Sequence, residues 1–176
     1  MCQDCGCSIT EHSHETHEHT HSHEMQNIHA NPQLNDKITV DVITKILDKN
    51  NHEAGHNRAH FEKHGVLAIN LMSSPGSGKT ALLEKIADMS GFKFGVIEGD
   101  LETSRDADRI KAKGIPAYQI QTGSACHLDA FMVHKGLHDM PLSEIDVCFV
   151  ENVGNLVCPA SYDVGTHLNI VLVSVP

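Results

Sequence analysis

Positive charge is scarce in this sequence. Lys and Arg number 13 against 23 Asp and Glu, a formal net charge of −10 with the histidines neutral. That balance excludes a surface built to hold nucleic acid. Long apolar runs are also lacking, and none reaches the length needed to cross a bilayer. The N-terminus has neither the basic region nor the apolar segment of a secretory leader. The expectation is a cytoplasmic protein with no membrane partner and with reduced thiols. Its six cysteines, at 2, 5, 7, 126, 148 and 158, are then candidates for metal ligands rather than disulfides.

Large apolar residues are nearly absent from residues 1–36. Burial cannot offset the entropy of ordering such a segment, so it is expected to be a disordered tail until it meets a ligand. What the tail holds is donor atoms. Cys2, Cys5 and Cys7 fall within six residues, followed by His12, His14, His17, His19, His21 and His23. Three thiolates with the terminal amine suit square-planar Ni(II), and the same three with an imidazole suit tetrahedral Zn(II). A solvated tail that binds metal only incidentally is the alternative. Fifteen histidines in all make the charge of the chain sensitive to pH near 6.5.

The rest of the chain is organised around Ser73-Ser74-Pro75-Gly76-Ser77-Gly78-Lys79-Thr80. The apolar run 66–72 precedes it and suits a buried parallel strand. Apolar residues at 82, 83, 86 and 87 follow it and suit an amphipathic helix. Strand, Gly-rich turn and helix are the context a phosphate-binding loop requires. Gly76 and Gly78 let the backbone approach phosphate oxygens, Ser77 lies between them, and the N–H groups from Gly76 to Lys79 converge at a helix N-terminus. Lys79 supplies charge for the outer phosphates and Thr80 a hydroxyl for Mg²⁺. Ser73 stands where the general pattern has glycine.

Around this loop the sequence alternates strand and helix. Residues 37–64 read as a helix, with His52, His56, His60 and His64 on one face and Phe61 turned to the core. That histidine face reads as solvated or partner-facing, with metal binding the alternative. Strands are expected at 92–97, 115–120, 146–150 and 168–175, and a helix at 101–113. The result is an α/β fold, a P-loop NTPase whose mostly parallel sheet is flanked by helices, over a domain spanning 37–176. Asp100 closes the second strand, where ligands bind in open parallel sheets. It either reaches Mg²⁺ or its water, or caps the next helix. Glu151-Asn152-Val153-Gly154 sits where a nucleotide hydrolase places a second acid, so Glu151 can hold Mg²⁺ or the attacking water. Lys79, Asp100 and Glu151 are thus the candidate catalytic residues. Cys126 and His127 follow the third strand and Cys158 follows the fourth, so all three should project from one sheet edge. Two thiols and an imidazole suit Zn or Ni, and a two-fold partner could complete the set. Cys148 reads as core. Cys158 lies four residues beyond Gly154, which predicts that nucleotide state moves a metal ligand.

Cys2-x-x-Cys5-Gly6-Cys7, the histidine tract, Asn57-Arg58 ahead of Phe61, the phosphate loop, Glu98-Gly99-Asp100, Cys126-His127-Leu128-Asp129 and the run from Glu151 to Pro159 together resemble the hydrogenase nickel-incorporation GTPases. That resemblance implies GTP hydrolysis to GDP with Mg²⁺ and nucleotide-linked dimerisation. It also implies a tight nickel site at Cys2, Cys5 and Cys7 and a second Ni/Zn site at Cys126, His127 and Cys158. The partners it implies are a nickel-carrying accessory protein and the hydrogenase large-subunit precursor. Members of that family continue past Val175 into the element that reads guanine. The expectation is therefore a domain incomplete at its C-terminus, with later strands missing, an unpaired sheet edge and no residue to select guanine over adenine. Two other readings compete: a nickel/zinc storage or chaperone protein with an inactive domain, and a urease-activation GTPase.

Overall fold

The computed structural model describes residues 37–100 and 105–175. Cys2, Cys5, Cys7 and the tail histidines lie outside the described residues. The chain divides into two compact units, Met1–Ile46 and Leu47–Pro176. In the first, the described residues are the opening turns of helix α1 (Lys37–His64). There Thr44 Oγ1 donates to the Val40 carbonyl at 2.8 Å, the back-bond a threonine makes inside a helix.

The second unit continues α1 and adds β1 (Leu67–Ser73), α2 (Lys79–Met89), β2 (Phe94–Asp100), α3 (Arg105–Ala112), β3 (Ala117–Gln121), α4 (Ala130–Asp139), β4 (Val147–Glu151), α5 (Cys158–Ser161) and β5 (Leu168–Leu172). The five strands form one sheet in the order β3-β2-β4-β1-β5, with every pairing parallel. The expected P-loop α/β architecture is what the chain adopts. Strand β2 runs on past Ile97 because Glu98, Gly99 and Asp100 stay in register with Gln119, Ile120 and Gln121. Strand β5 stops pairing at Leu172, three residues before the expected end. It lies at one end of the sheet, and its Leu168 and Val171 are each 51% exposed. Residues 101–104, where the second helix was expected to start, are outside the described residues, and α3 is described from Arg105. Helix α5 is an addition, one turn begun by Cys158-Pro159, where proline's missing N–H costs nothing.

Because strand side chains alternate, the sheet supports two cores. On one face Ile97, Cys148 and Val150 pack with Phe61, Leu128, Val133 and Leu137. On the other, Val96 and Phe149 pack with Ile69, Leu71, Leu83, Phe94 and Ile110. Phe61, the expected core contact of α1, is fully buried. Burial alone pushes the Cys148 thiol up to about 12, so it remains an inert apolar group.

Two asparagines fix α1 to distant segments. Asn50 Nδ2 donates to the Asp163 carbonyl at 2.7 Å, and its Oδ1 accepts from the Ala130 N–H at 2.9 Å. Asn57 Nδ2 donates to the carbonyls of Ala130 and Val164. Arg58 Nη2 donates to both carboxylate oxygens of Asp163, at 2.8 and 3.0 Å. Buried amides whose hydrogen bonds are satisfied by backbone specify one docking geometry rather than a range.

Candidate nucleotide and metal site

The order β3-β2-β4-β1-β5 places β4 beside β1, so the loops leaving their carboxyl ends are neighbours. Ligands of open α/β sheets bind in such a crevice. The loop after β1 is the phosphate loop. Gly76 and Gly78 take φ of 72° and 90°, the left-handed region that glycine enters without strain. Ser77 Oγ donates to the Ser74 carbonyl at 2.9 Å and holds the turn. Lys79 Nζ donates to Ser73 Oγ at 2.9 Å. Ser73 is thus more than a tolerated substitute for glycine, since it parks the lysine across the loop.

The loop after β4 supplies the acid. Glu151 is buried, and its Oε1 accepts from Thr80 Oγ1 at 2.9 Å. Gly76, Gly78, Lys79, Thr80, Ala81, Asp106, Arg109 and Glu151 line a cavity of about 230 Å³. Asp100 ends β2 and is not among those lining residues.

The third group is the thiol and imidazole set. The ligand atoms of Cys126, His127 and Cys158 all lie within 4.8 Å of one another. The two Sγ atoms are 3.0 Å apart, and His127 Nδ1 is 3.7 Å from Cys126 Sγ. The Tyr162 ring covers the buried His127 imidazole with centroids 4.0 Å apart. This donor chemistry fits Zn²⁺ or Ni²⁺ with room for a further ligand.

Short covalent and hydrogen-bonded paths join the phosphate loop to this set. A side chain on Gly154 would sit 3.0 Å from Pro75 Cα and 3.2 Å from Pro75 N. Segment 151–155 therefore rests directly on the phosphate loop. Ser73 and Asn155 form a backbone bridge, and Asn155 Nδ2 reaches the Cys126 carbonyl at 3.4 Å. Asn152 locks the same corner, accepting from the N–H groups of Leu128 and Val153 and donating to Asn70 Oδ1.

The family description CobW/HypB/UreG, nucleotide-binding domain, matches residues 67–172. The chain belongs to the CobW/HypB/UreG family. It is 52% identical over 155 residues to the hydrogenase/urease maturation factor HypB of Helicobacter hepaticus, covering 86% of this chain and 64% of that protein. It is 47% identical over 146 residues to the hydrogenase maturation factor HypB of Rhizobium leguminosarum bv. viciae, covering 82% and 49%. The crystal structure of HypB from Helicobacter pylori in complex with nickel is similar at a TM-score of 0.67 and 51% identity, over 70% of this chain and 59% of that one. This CobW/HypB/UreG chain thus spans at most about two thirds of the length of these relatives.

Sequence reasoning passed over one member of the site. Glu98 is buried, and its Oε2, like that of Glu151, has no hydrogen-bond partner among the described residues. Burial, then the charges of Glu151, Asp100 and Asp106, push the Glu98 carboxyl up to about 8, with Lys79 opposing. Burial also raises Glu151 to about 7, opposed by Thr80 and Lys79. Glu151 beside the Thr80 hydroxyl, with Glu98 opposite it in the β2–β4 register and an orphaned oxygen on each carboxyl, is a donor set that fits a hard divalent cation such as Mg²⁺. An acid inside the run Phe94–Ile97-Glu98 was the available signal, since a charge in a buried strand needs a reason.

A pH prediction follows. Between about 4.5 and 8 the folded protein keeps a proton on Glu98 that the unfolded chain releases. Stability from this group is fully present below the lower value and lost as pH rises through the upper one. Without nucleotide or divalent metal, Glu98→Gln should gain melting temperature relative to wild type as pH goes from 5 to 8.5. Parallel melting curves at both pH values would mean that Glu98 ionises without penalty.

Proposed function

We propose that this protein is a GTP-hydrolysing nickel metallochaperone that delivers nickel for the maturation of nickel–iron hydrogenase, with nucleotide state gating metal binding and dimerisation. The observation that carries this reading is the contact of Gly154 with Pro75. It supports a coupling in which the occupant of the phosphate loop sets the position of residues 151–158, and Cys158 with them. Names borne by the relatives, and the nickel in one of their structures, support the cargo.

In this reading Lys79 and the N–H groups from Gly76 to Thr80 hold the phosphates. Thr80 and Glu151 would hold Mg²⁺, with Glu98 beside them and Asp100 acting through water from the end of β2. Bound there, the cation would supply positive charge against that developing on the transferred phosphoryl group. Glu151, with its pKa near neutrality, suits the orientation of an attacking water. Cys126, His127 and Cys158 take the nickel, or zinc, and a second copy of the chain would complete the coordination sphere. Residues 1–36 form a separate metal-binding tail in which Cys2, Cys5 and Cys7 are ligands. The domain over 37–176 acts in the cytoplasm. Partners are a nickel-carrying accessory protein and the hydrogenase large-subunit precursor.

The test uses a chain with Cys2, Cys5 and Cys7 changed to serine, so that a single thiolate site reports. Bound nickel per chain is measured with GDP and with a non-hydrolysable GTP analogue. Nickel affinity of the thiolate site should differ at least tenfold between the two, and Cys158→Ala should remove that tight component in both, leaving only the weaker metal held by histidines. Equal affinities would sink the coupling. A second reading, urease activation, is favoured by the Helicobacter relatives being named hydrogenase/urease factors. Reconstitution of apo-urease alongside apo-hydrogenase separates the two.

A further inference from the structure

Histidines outside the site just described gather where α1 meets α4. On α4, His134 and His138 are one turn apart, and their Nε2 atoms are 3.2 Å from each other. On α1, His60 has its ring centroid 6.2 Å from that of His138. His134 is oriented from behind. Its Nδ1 lies 2.9 Å from Asn57 Oδ1 and 3.1 Å from Glu53 Oε1. Both are acceptors, so Nδ1 carries the proton and the Nε2 lone pair faces His138. A carboxylate that holds the remote nitrogen of an imidazole is the usual support of a metal-ligating histidine.

We infer that this seam is a further divalent-metal site, in which Nε2 of His134 and Nε2 of His138 bind one borderline cation, Zn²⁺ or Ni²⁺, with His60 as third ligand. Two metal–nitrogen bonds of about 2.1 Å spanning a 3.2 Å gap subtend roughly 100°, close to an ideal angle. The protein already has the geometry of a chelate, with the cation replacing the proton that would otherwise lie between the two nitrogens. His60 stands across the seam from His138, ring to ring. Burial, then the charges of His64, His138, His134 and Lys63, lower the pKa of His60. Glu53 offsets charge at the back of the site. The set contains no thiolate, so it holds a metal more loosely than Cys126, His127 and Cys158, as a docking point for an ion in transit rather than a store.

The test is a Zn²⁺ titration of the full chain followed by long-range ¹H–¹⁵N spectra of the imidazole rings, assigned by single histidine substitutions. After the thiolate sites fill, the Nε2 signals of His134, His138 and His60 should move together with one midpoint. In His138→Gln, His134 Nε2 should keep its metal-free position over the same range, while the amide spectrum shows the fold unchanged. The site is overturned if His134 Nε2 stays still at Zn²⁺ levels that shift the tail histidines. It is equally overturned if His134 Nε2 shifts as far in His138→Gln. A His60 signal that does not move with the other two would overturn its assignment as third ligand.

Discussion

Replacing Lys79 by alanine is expected to lower GTP hydrolysis by about a hundred-fold or more, with the melting temperature nearly unchanged. The ammonium group is half-buried and donates to Ser73 Oγ within the loop, so the fold loses little with it. The proposed nucleotide site loses two things. The first is a fixed positive charge for the outer phosphates, which no other side chain in the cavity can replace, because Arg109 is engaged by Glu84 at 2.6 Å and Asp106 at 2.9 Å. The second is the opposing influence on two acids. Lys79 holds down the pKa of both Glu98 and Glu151. Without it both carboxyls stay protonated to higher pH and become poorer partners for a cation. The Mg²⁺ dependence of nucleotide binding in Lys79→Ala should therefore move to higher metal concentration, and more so at pH 6.5 than at pH 8.5. Hydrolysis within threefold of wild type would mean that the loop is not the catalytic centre, and would favour the storage reading. Nickel delivery by Lys79→Ala, measured in the same preparation, separates the two directly.

The largest loss of stability is expected at a glycine far from the phosphate loop. Gly165 has φ of 88°, and a side chain there would lie 2.5 Å from the Ala54 carbonyl oxygen and 2.5 Å from Asn57 Cβ. Those atoms belong to the rigid body of α1, where Asn57 is already tied to Ala130 and Val164. They cannot rotate aside as a long side-chain tip would. Backbone strain and overpacking together put Gly165→Ala at about 3 kcal/mol or more, roughly 10 °C in melting temperature for a domain of this size. Gly114→Ala is the control. Its φ is 77°, but nothing lies within 4 Å of the added carbon, so about 1 kcal/mol of backbone strain is all it should cost. Urea denaturation of both variants decides the matter. Equal losses would show that α1 yields at Gly165.

The phosphate loop was legible because its chemistry is local: glycines, lysine and threonine at fixed offsets after an apolar run. Cys126, His127 and Cys158 were legible through topology, since loops leaving parallel strands emerge on one edge. What could not be read lies in long-range contacts. Nothing near Asn50 or Asn57 announces partners at Asp163, Val164 and Ala130, which are 73 to 113 residues away. Glu98 was overlooked because the apolar run was expected to end at Ile97, and of the three residues that follow only Asp100 was given a role at the carboxyl edge. Three more residues of pairing with β3, Glu98 to Asp100, keep it within the sheet. The one-turn helix α5 is too short for any periodicity to reveal.

The position of β1 has a consequence for how the chain is made. Its two neighbours in the sheet are β4 and β5, beginning at Val147 and Leu168. The asparagines of α1 wait for carbonyls at Asp163 and Val164. A nascent chain that has emerged only as far as Asp139 therefore holds a phosphate loop whose supporting strand has no partner on either side. Closing contacts over such separations is slow. Nucleotide can be gripped only once β5 has emerged and paired, so binding competence waits for the later of β1's two partners rather than building up strand by strand.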